Sequence, residues 1–369
     1  MTVLDVELPT STLGTAVSPR YRALQGVKLG TVRSTFSPIV FERSSVKALA
    51  YLVFDLALYA LFIAGVFIAP NIGFKVVCGL LAGCAVAFLF VWAHDAAHGA
   101  LFKSEVVAEI LGTMAMLPSL NMYRLWTYGH NKVHHGFTSF SPVDWIWKPL
   151  TPAEFRSASR LRKVQYRVER SMAGCALHYL ARVWWFGMVR FKAEPSVRRR
   201  FHFTRARLTT LTFIVGASTL AWHYGGGIGG VLGAVVVPFV VFNYFIALFV
   251  YLHHTHPTLP FFDQRREWSA SIGQVACSTV VRTSSLFESL THGILIHTPH
   301  HVDMRIPFYR LKQARRDLRA AYGEQLLEYR FRWSTVTKIF RTCQLFDFDR
   351  QIWYRFRDLP DLVDVAVPA

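Results

Sequence analysis

Four stretches of this chain, at 47–70, 73–93, 208–224 and 228–252, are long and almost purely apolar, and no other feature restricts the fold as much. The hydrocarbon core of a bilayer is crossed by about 20 helical residues rising roughly 1.5 Å each. Inside it every backbone N–H and C=O must be satisfied within the protein, which a helix does alone. The links between these stretches alternate in character. The first two are joined by the turn at Pro70 and Asn71, and the last two by glycines 225–227; both links are short and almost uncharged. Residues 94–207 and 257–369 are long and rich in Arg and Lys. Positive residues stay on the cytoplasmic side, so the N-terminus, the central loop and the C-terminal region are expected there. The fold class expected is all-α, an integral membrane four-helix bundle with a helical cytosolic cap. Its parts are a polar, partly disordered leader at 1–45, a membrane domain at 46–310 and a basic cytosolic tail at 311–369. The third span is the weakest, being short and ending in Trp222, His223 and Tyr224. Residues 106–120, broken by Pro118, are too short to cross and are expected to dip into or lie along the interface. Residues 176–188 place Leu177, Leu180, Trp184 and Met188 at helical spacing, which suits an amphipathic surface helix or a core helix of the cap equally.

The formal net charge is +18, which a soluble nucleic-acid binder could also carry. Here the basic residues avoid the apolar blocks and crowd the segments between alternate ones, a membrane pattern that excludes nucleic acid as the partner. The basic runs 156–170, 190–207 and 310–319 read as anchoring to anionic lipid, at about 1 kcal/mol per residue near the surface. Trp145, Trp147, Trp184 and Trp185 read as an interfacial belt. The five cysteines are scattered, odd in number and without a CxxC pair. Free thiols are expected, and an iron–sulfur cluster is not.

The fifteen histidines gather in runs: HDAAH (His94, His98), HNKVHH (His130, His134, His135), HHTH (His253, His254, His256) and HTPHH (His297, His300, His301). Residues four apart share a helix face about 5–6 Å apart. The pairs His94/His98, His130/His134 and His297/His301 can therefore each aim two imidazoles at one ion. One such pair is commonplace, but three with adjacent extra histidines are hard to explain by packing. Topology brings the runs together, since His94 closes the second span, His253–His256 close the fourth, and the others lie in loops on that side. Imidazole suits zinc, copper, iron and nickel alike. Eight or nine histidines exceed the three or four ligands of one ion, which implies two sites. Ligand histidines pass their second N–H to a carboxylate or carbonyl, and Asp95, Asp144, Asp263 and Asp303 lie near the runs. His178, His202 and His223 read as non-ligands. A metal transporter would set ionisable groups along a mid-membrane path, and a bis-histidine haem protein would pair histidines within facing spans. The span interiors read as nearly free of charge, which favours neither.

Taken together, these motifs resemble the membrane fatty-acid desaturases, with H-x(3–4)-H followed by two H-x(2–3)-HH boxes. The likeness is greatest to the Δ12/ω6 acyl-lipid branch and its ω3 relatives. HDAAH is similar to that branch's HDCGH or HECGH; Trp126, Tyr128 and His130 repeat its W-x-Y-x-H lead-in. Residues 251–263, YLHHTHPTLPFFD, resemble YLQHTHP-x-LPHYD, Glu267-Trp268 match the E-W beyond it, and His292 falls where ω3-type members carry a histidine. The resemblance covers about residues 45–310. The second box departs in having three residues before its HH, Ala96 and Ala97 replace Cys and Gly, and His253 replaces Gln. The resemblance implies three histidine boxes holding two non-haem Fe, with His254 or His256 as the ligand outside them. It also implies O2 as co-substrate, a double bond inserted into a fatty acyl chain linked to lipid, CoA or acyl-carrier protein, and a membrane setting among lipids. The chain has no GxGxxG, P-loop or haem-attachment motif. Electrons are therefore expected from a separate donor such as ferredoxin or cytochrome b5. Acetylenases, conjugases, hydroxylases and carotenoid ketolases share the scaffold and stand as alternatives.

Overall fold

The computed structural model describes residues 14–362. Its frame is helical. Helix α1 (Ser45–Ile68) starts where the Ser44 side chain accepts from Lys47 N and stops two residues before Pro70. Helix α2 (Ile72–Ala97) starts where the Asn71 side chain accepts from Phe74 N at 3.1 Å. Both caps satisfy amides that the first helical turn leaves unpaired. Helix α3 (Glu105–Ser119) and helix α4 (Tyr123–Phe137) form a pair bent by 104°. Pro118 and the left-handed Leu120, at φ 55°, stand at the break. Helix α5 (Phe203–Tyr224) and helix α6 (Ile228–His254) follow.

Three of these, α1, α2 and α6, are long and apolar enough to cross a membrane. The bent α3–α4 pair passes the same test taken as one span, so the stretch expected to dip is half of a broken element. Helix α5 has 22 residues but is not among the three. Helix α2 is the central one. It packs on α6 so closely that a Cβ on Gly79 would lie 2.5 Å from the Gly233 carbonyl oxygen, and one on Gly83 2.5 Å from Val241 Cβ. Small residues at such crossings let backbones approach where no hydrophobic force holds helices together. By contrast α1 turns most of its surface outward, with Val53, Phe54, Leu61 and Ile68 exposed. Its inner face includes an exception to the uncharged interiors expected from sequence. Asp55 is fully buried there, 2.7 Å from His292 Nε2.

The all-α expectation needs correction in the cap, where two small sheets form. Thr15–Ala16 pairs antiparallel with the Ile352–Tyr354 strand, which also pairs antiparallel with Leu345–Asp347; Thr279–Arg282 runs parallel to Leu327–Arg330. Strands of two to four residues leave too short an alternation to be read, and their partners lie far away in sequence. Part of the leader is packed. From residue 14 onward it lies on the main core, burying Tyr21, Leu24, Val32, Phe36 and Val40, while residues 1–13 fall outside the described ones. The tail adds Leu311, Ala314 and Leu318 from one face of an amphipathic helix. All five cysteines are free.

Residues 176–189 form a helix that buries Tyr179, Val183 and Met188 and exposes Trp185 and Phe186. Two tryptophans of the expected belt do other work. Trp184 donates to the Leu120 carbonyl at 2.8 Å and packs on Phe239. Trp147 is wholly buried, stacked on His178 at 3.8 Å.

Candidate metal centre

His94 and His98 stand one turn apart where α2 ends, their Nε2 atoms 3.3 Å apart. His297 and His301 repeat that spacing on helix α7 (His297–Val302), with Nε2 atoms 2.9 Å apart. The second run behaves differently. Between Gly129 and His134 the backbone of α4 widens into a π-helical turn. That turn brings His130 and His135, five apart, together edge-on with their Nε2 atoms 3.1 Å apart. His134 is turned to the other side, its Nε2 3.1 Å from that of His254 at the end of α6. The expected His130/His134 pair is thus replaced by His130/His135.

The result is two groups. His94, His98, His130, His135 and His300 form one, and His134, His254, His297 and His301 the other; within each group, all donor atoms lie within 4.8 Å of one another. The runs at 130–135 and 297–301 feed both, the run at 94–98 feeds only the first, and that on α6 only the second. His300 leaves its neighbours on α7 to sit 4.5 Å from the His94 ring and 4.8 Å from that of His98. Adjacent nitrogens bound at about 2.0–2.1 Å to one first-row cation lie roughly 3.0–3.4 Å apart. The Nε2 pairs, at 2.9–3.3 Å, match that edge closely. His300 has no hydrogen-bond partner on either nitrogen, though buried. Lone pairs brought together this way without a shared proton donor are satisfied by a cation. The donor set therefore fits metal in both groups.

The second nitrogens are held as such ligands require. His94 Nδ1–H donates to Asp95 at 2.9 Å, whose other oxygen accepts from Phe308 N at 2.7 Å. His134 Nδ1–H donates to Asp144 at 3.0 Å, and that carboxylate also accepts from Ser139 N and Ile146 N. Asp303 instead pairs with Arg305 at 2.7 Å and Arg33 at 3.6 Å. Three supports escaped the sequence reading. His254 Nδ1–H donates to the Cys277 carbonyl at 3.0 Å, and His301 Nδ1–H to Gln274 Oε1 at 2.8 Å; Thr138 Oγ1 lies 3.2 Å from the same nitrogen. A backbone carbonyl carries no sequence signal, and Gln274 is an ordinary polar residue until the fold brings it here. Burial holds the imidazoles of His130, His135, His297 and His301 well below their ordinary protonation range and that of His300 down to about 3. They are neutral at physiological pH, the state in which imidazole can coordinate.

His256 lies in neither group; its Nδ1 bonds Thr258 and its ring faces Tyr329. His253 stacks on His297 at 3.7 Å with both nitrogens unpartnered. His178, His202 and His223 are likewise outside both groups. A narrow cleft ends on the centre. His94 and His130 line it from one group and His134, His254 and His297 from the other; Phe90, Val91, Ile246, Val250 and Ile294 form its apolar walls.

Apolar helices of membrane length that converge on two all-histidine groups define a class, that of membrane proteins with histidine-built sites for metal. The family model described as Fatty acid desaturase matches residues 68–333. Curated relatives agree. The chain is 27% identical over 344 residues to "Omega-6 fatty acid desaturase, chloroplastic" of Glycine max, covering 89% of this chain and 77% of the relative. It is 27% identical over 279 residues to "sn-1 oleoyl-lipid 12-desaturase" of a Picosynechococcus species, covering 72% and 75%. It is 26% identical over 340 residues to the "sn-1 oleoyl-lipid 12-desaturase" of Anabaena variabilis, covering 88% and 91%. The chain belongs to the fatty acid desaturase family and is an oxidoreductase acting on fatty acyl chains.

Proposed function

We propose that this chain is an acyl-lipid desaturase that uses two non-haem Fe and O2 to insert one double bond into a fatty acyl chain of a membrane lipid. The observation that carries this reading is the apolar cleft ending on both imidazole groups at once. An unactivated C–H bond needs a redox metal, and that chemistry is what a bound iron pair supplies. The ligands would be His94, His98, His130, His135 and His300 for one ion, and His134, His254, His297 and His301 for the other. Asp95 and Asp144 would hold His94 and His134 in the tautomer that frees Nε2. Phe90, Val91, Ile246, Val250 and Ile294 would grip an extended acyl chain and keep water from it. The curated relatives named for ω6 and oleoyl-lipid 12-desaturation make a monounsaturated acyl chain the first substrate to try.

In the membrane, α1, α2, α5 and α6 would form a four-helix bundle, with residues 46–310 as the catalytic domain. The histidine end and both termini would face the cytoplasm. Electrons would come from a separate redox protein of the ferredoxin or cytochrome b5 kind. The test is lipid profiling of a heterologous host together with metal analysis of the purified chain. A new double bond and about two irons per chain are expected. An alkyne, a hydroxy acid or a chain that binds one haem overturns the reading.

A further inference from the structure

Asp55 lies midway along α1, a helix otherwise turned largely toward lipid, and an ionisable group at such a depth calls for a partner and a purpose. The partner is His292, five residues before α7, whose Nε2 lies 2.7 Å from Asp55 Oδ2. Neither side chain is more than 3% exposed. Among the described residues that is the one hydrogen bond of either side chain; Asp55 Oδ1 and His292 Nδ1 have no partner there. The pair is therefore a buried, hydrogen-bonded link between a membrane helix and the loop that delivers the third histidine run.

The loop is held under tension at this point. His292 has a left-handed backbone, φ 50°, and Gly293 follows at φ 64°. A histidine in that region persists only where its surroundings fix it. They do so from three sides. The His292 ring meets Tyr51 of α1 edge-on at 5.2 Å and lies 4.7 Å from Phe308. Tyr51 also meets Phe308 edge-on at 5.0 Å, and the Tyr309 hydroxyl accepts from Ser44 N at 2.7 Å. Phe308 N–H in turn donates to Asp95, the carboxylate that orients His94. One face of α1 thus governs two approaches to the five-histidine group: the turn leading into α7, with His300, and the support of His94.

We propose that Asp55 and His292 are positioning residues for the metal centre, locking the α7 loop and Phe308 to α1 so that His300 and His94 converge. The hydrogen bond does this work, and neither residue touches metal or substrate. This inference rests on the metal-site reading proposed above. If wild-type protein takes up no cobalt, that reading fails; if wild type loads and the variants load identically, only the present one does.

The experiment compares the full chain, purified in detergent and loaded with Co(II), as wild type, Asp55→Leu, His292→Leu, the double Leu variant and Asp55→Asn. Bound cobalt per chain and the visible d–d absorption of the ion are read. Each single Leu variant leaves one buried polar group without its partner and is expected to lose about half of the cobalt, with a weakening of affinity of about 10–100-fold. The double variant buries no unpaired group, so it is expected to regain thermal stability while keeping the altered spectrum. Asp55→Asn retains an oxygen acceptor for His292 and is expected to keep the wild-type spectrum. A double variant with wild-type stoichiometry and spectrum overturns the proposal and leaves the pair a mere staple of the fold. If no Leu variant can be purified folded, Asp55→Asn decides: an altered spectrum overturns the hydrogen-bond role.

Discussion

The two histidine groups differ in how tightly their rings are held. In the four-histidine group every member is buried, and three have the second nitrogen bonded: His134 to Asp144, His254 to the Cys277 carbonyl, His301 to Gln274. In the five-histidine group only His94 has such a bond among the described residues, to Asp95. His98 and His135 leave Nδ1 unpartnered, His300 leaves both nitrogens so, and His130 is only half-buried. An imidazole bonded at one nitrogen cannot swing freely on its χ angles, so the four-histidine group is preorganised. The five-histidine group has more donors and fewer constraints. One group is held in place, and its neighbour has more rings and fewer supports.

The largest effect that could break this comparison is removal of a ligand from either side. His98→Ala in one group and His301→Ala in the other are both expected to reduce turnover to the background of the host, with membrane insertion unchanged; product lipids and membrane fractionation check this. Turnover in either variant would mean that one group suffices. Next, Asp144→Asn and Asp95→Asn are each expected to weaken metal binding by about 10–100-fold in the group they support. Equilibrium dialysis against a chelator should release metal from wild type in two phases, the five-histidine group first, and Asp144→Asn should merge them.

A smaller effect is expected from pH. The unfolded chain takes up protons on histidine near 6.5, whereas the folded one keeps His300 neutral down to about 3. Between these values the unfolded state binds more protons, so stability rises with pH across that window. The metal-free protein should therefore show a constant unfolding temperature above about pH 7.5 and a falling one below pH 6.5. Smallest of all, His256→Ala is expected to leave metal content and turnover near wild type, whereas His254→Ala should match His301→Ala. An equal loss in both would return His256 to the centre.

Much of this centre was legible in the runs themselves. A turn of α-helix sets His94 beside His98 and His297 beside His301 whatever surrounds them, and the apolar blocks place both runs at one end of the helices. Partition between the groups was not legible. It depends on the π-helical turn at Gly129–His134, which replaces a spacing of four by one of five and hands His134 to the opposite group. The choice between His254 and His256 hung on where α6 stops: His254 is its last residue, and His256 lies beyond it against Tyr329. Asp55 carries little signal of its own, because a single acid in an apolar run barely changes its mean hydropathy.

The amino-acid order alone determined the membrane-length helices and the excess of imidazole at one end, because hydrophobic transfer and helical spacing act on residues close together in the chain. Tertiary structure decided which histidines share a group, which supports them, and what Asp55 is for. Those outcomes turn on hydrogen bonds and ring contacts between residues as distant as 55 and 292, and only folding sets such distances.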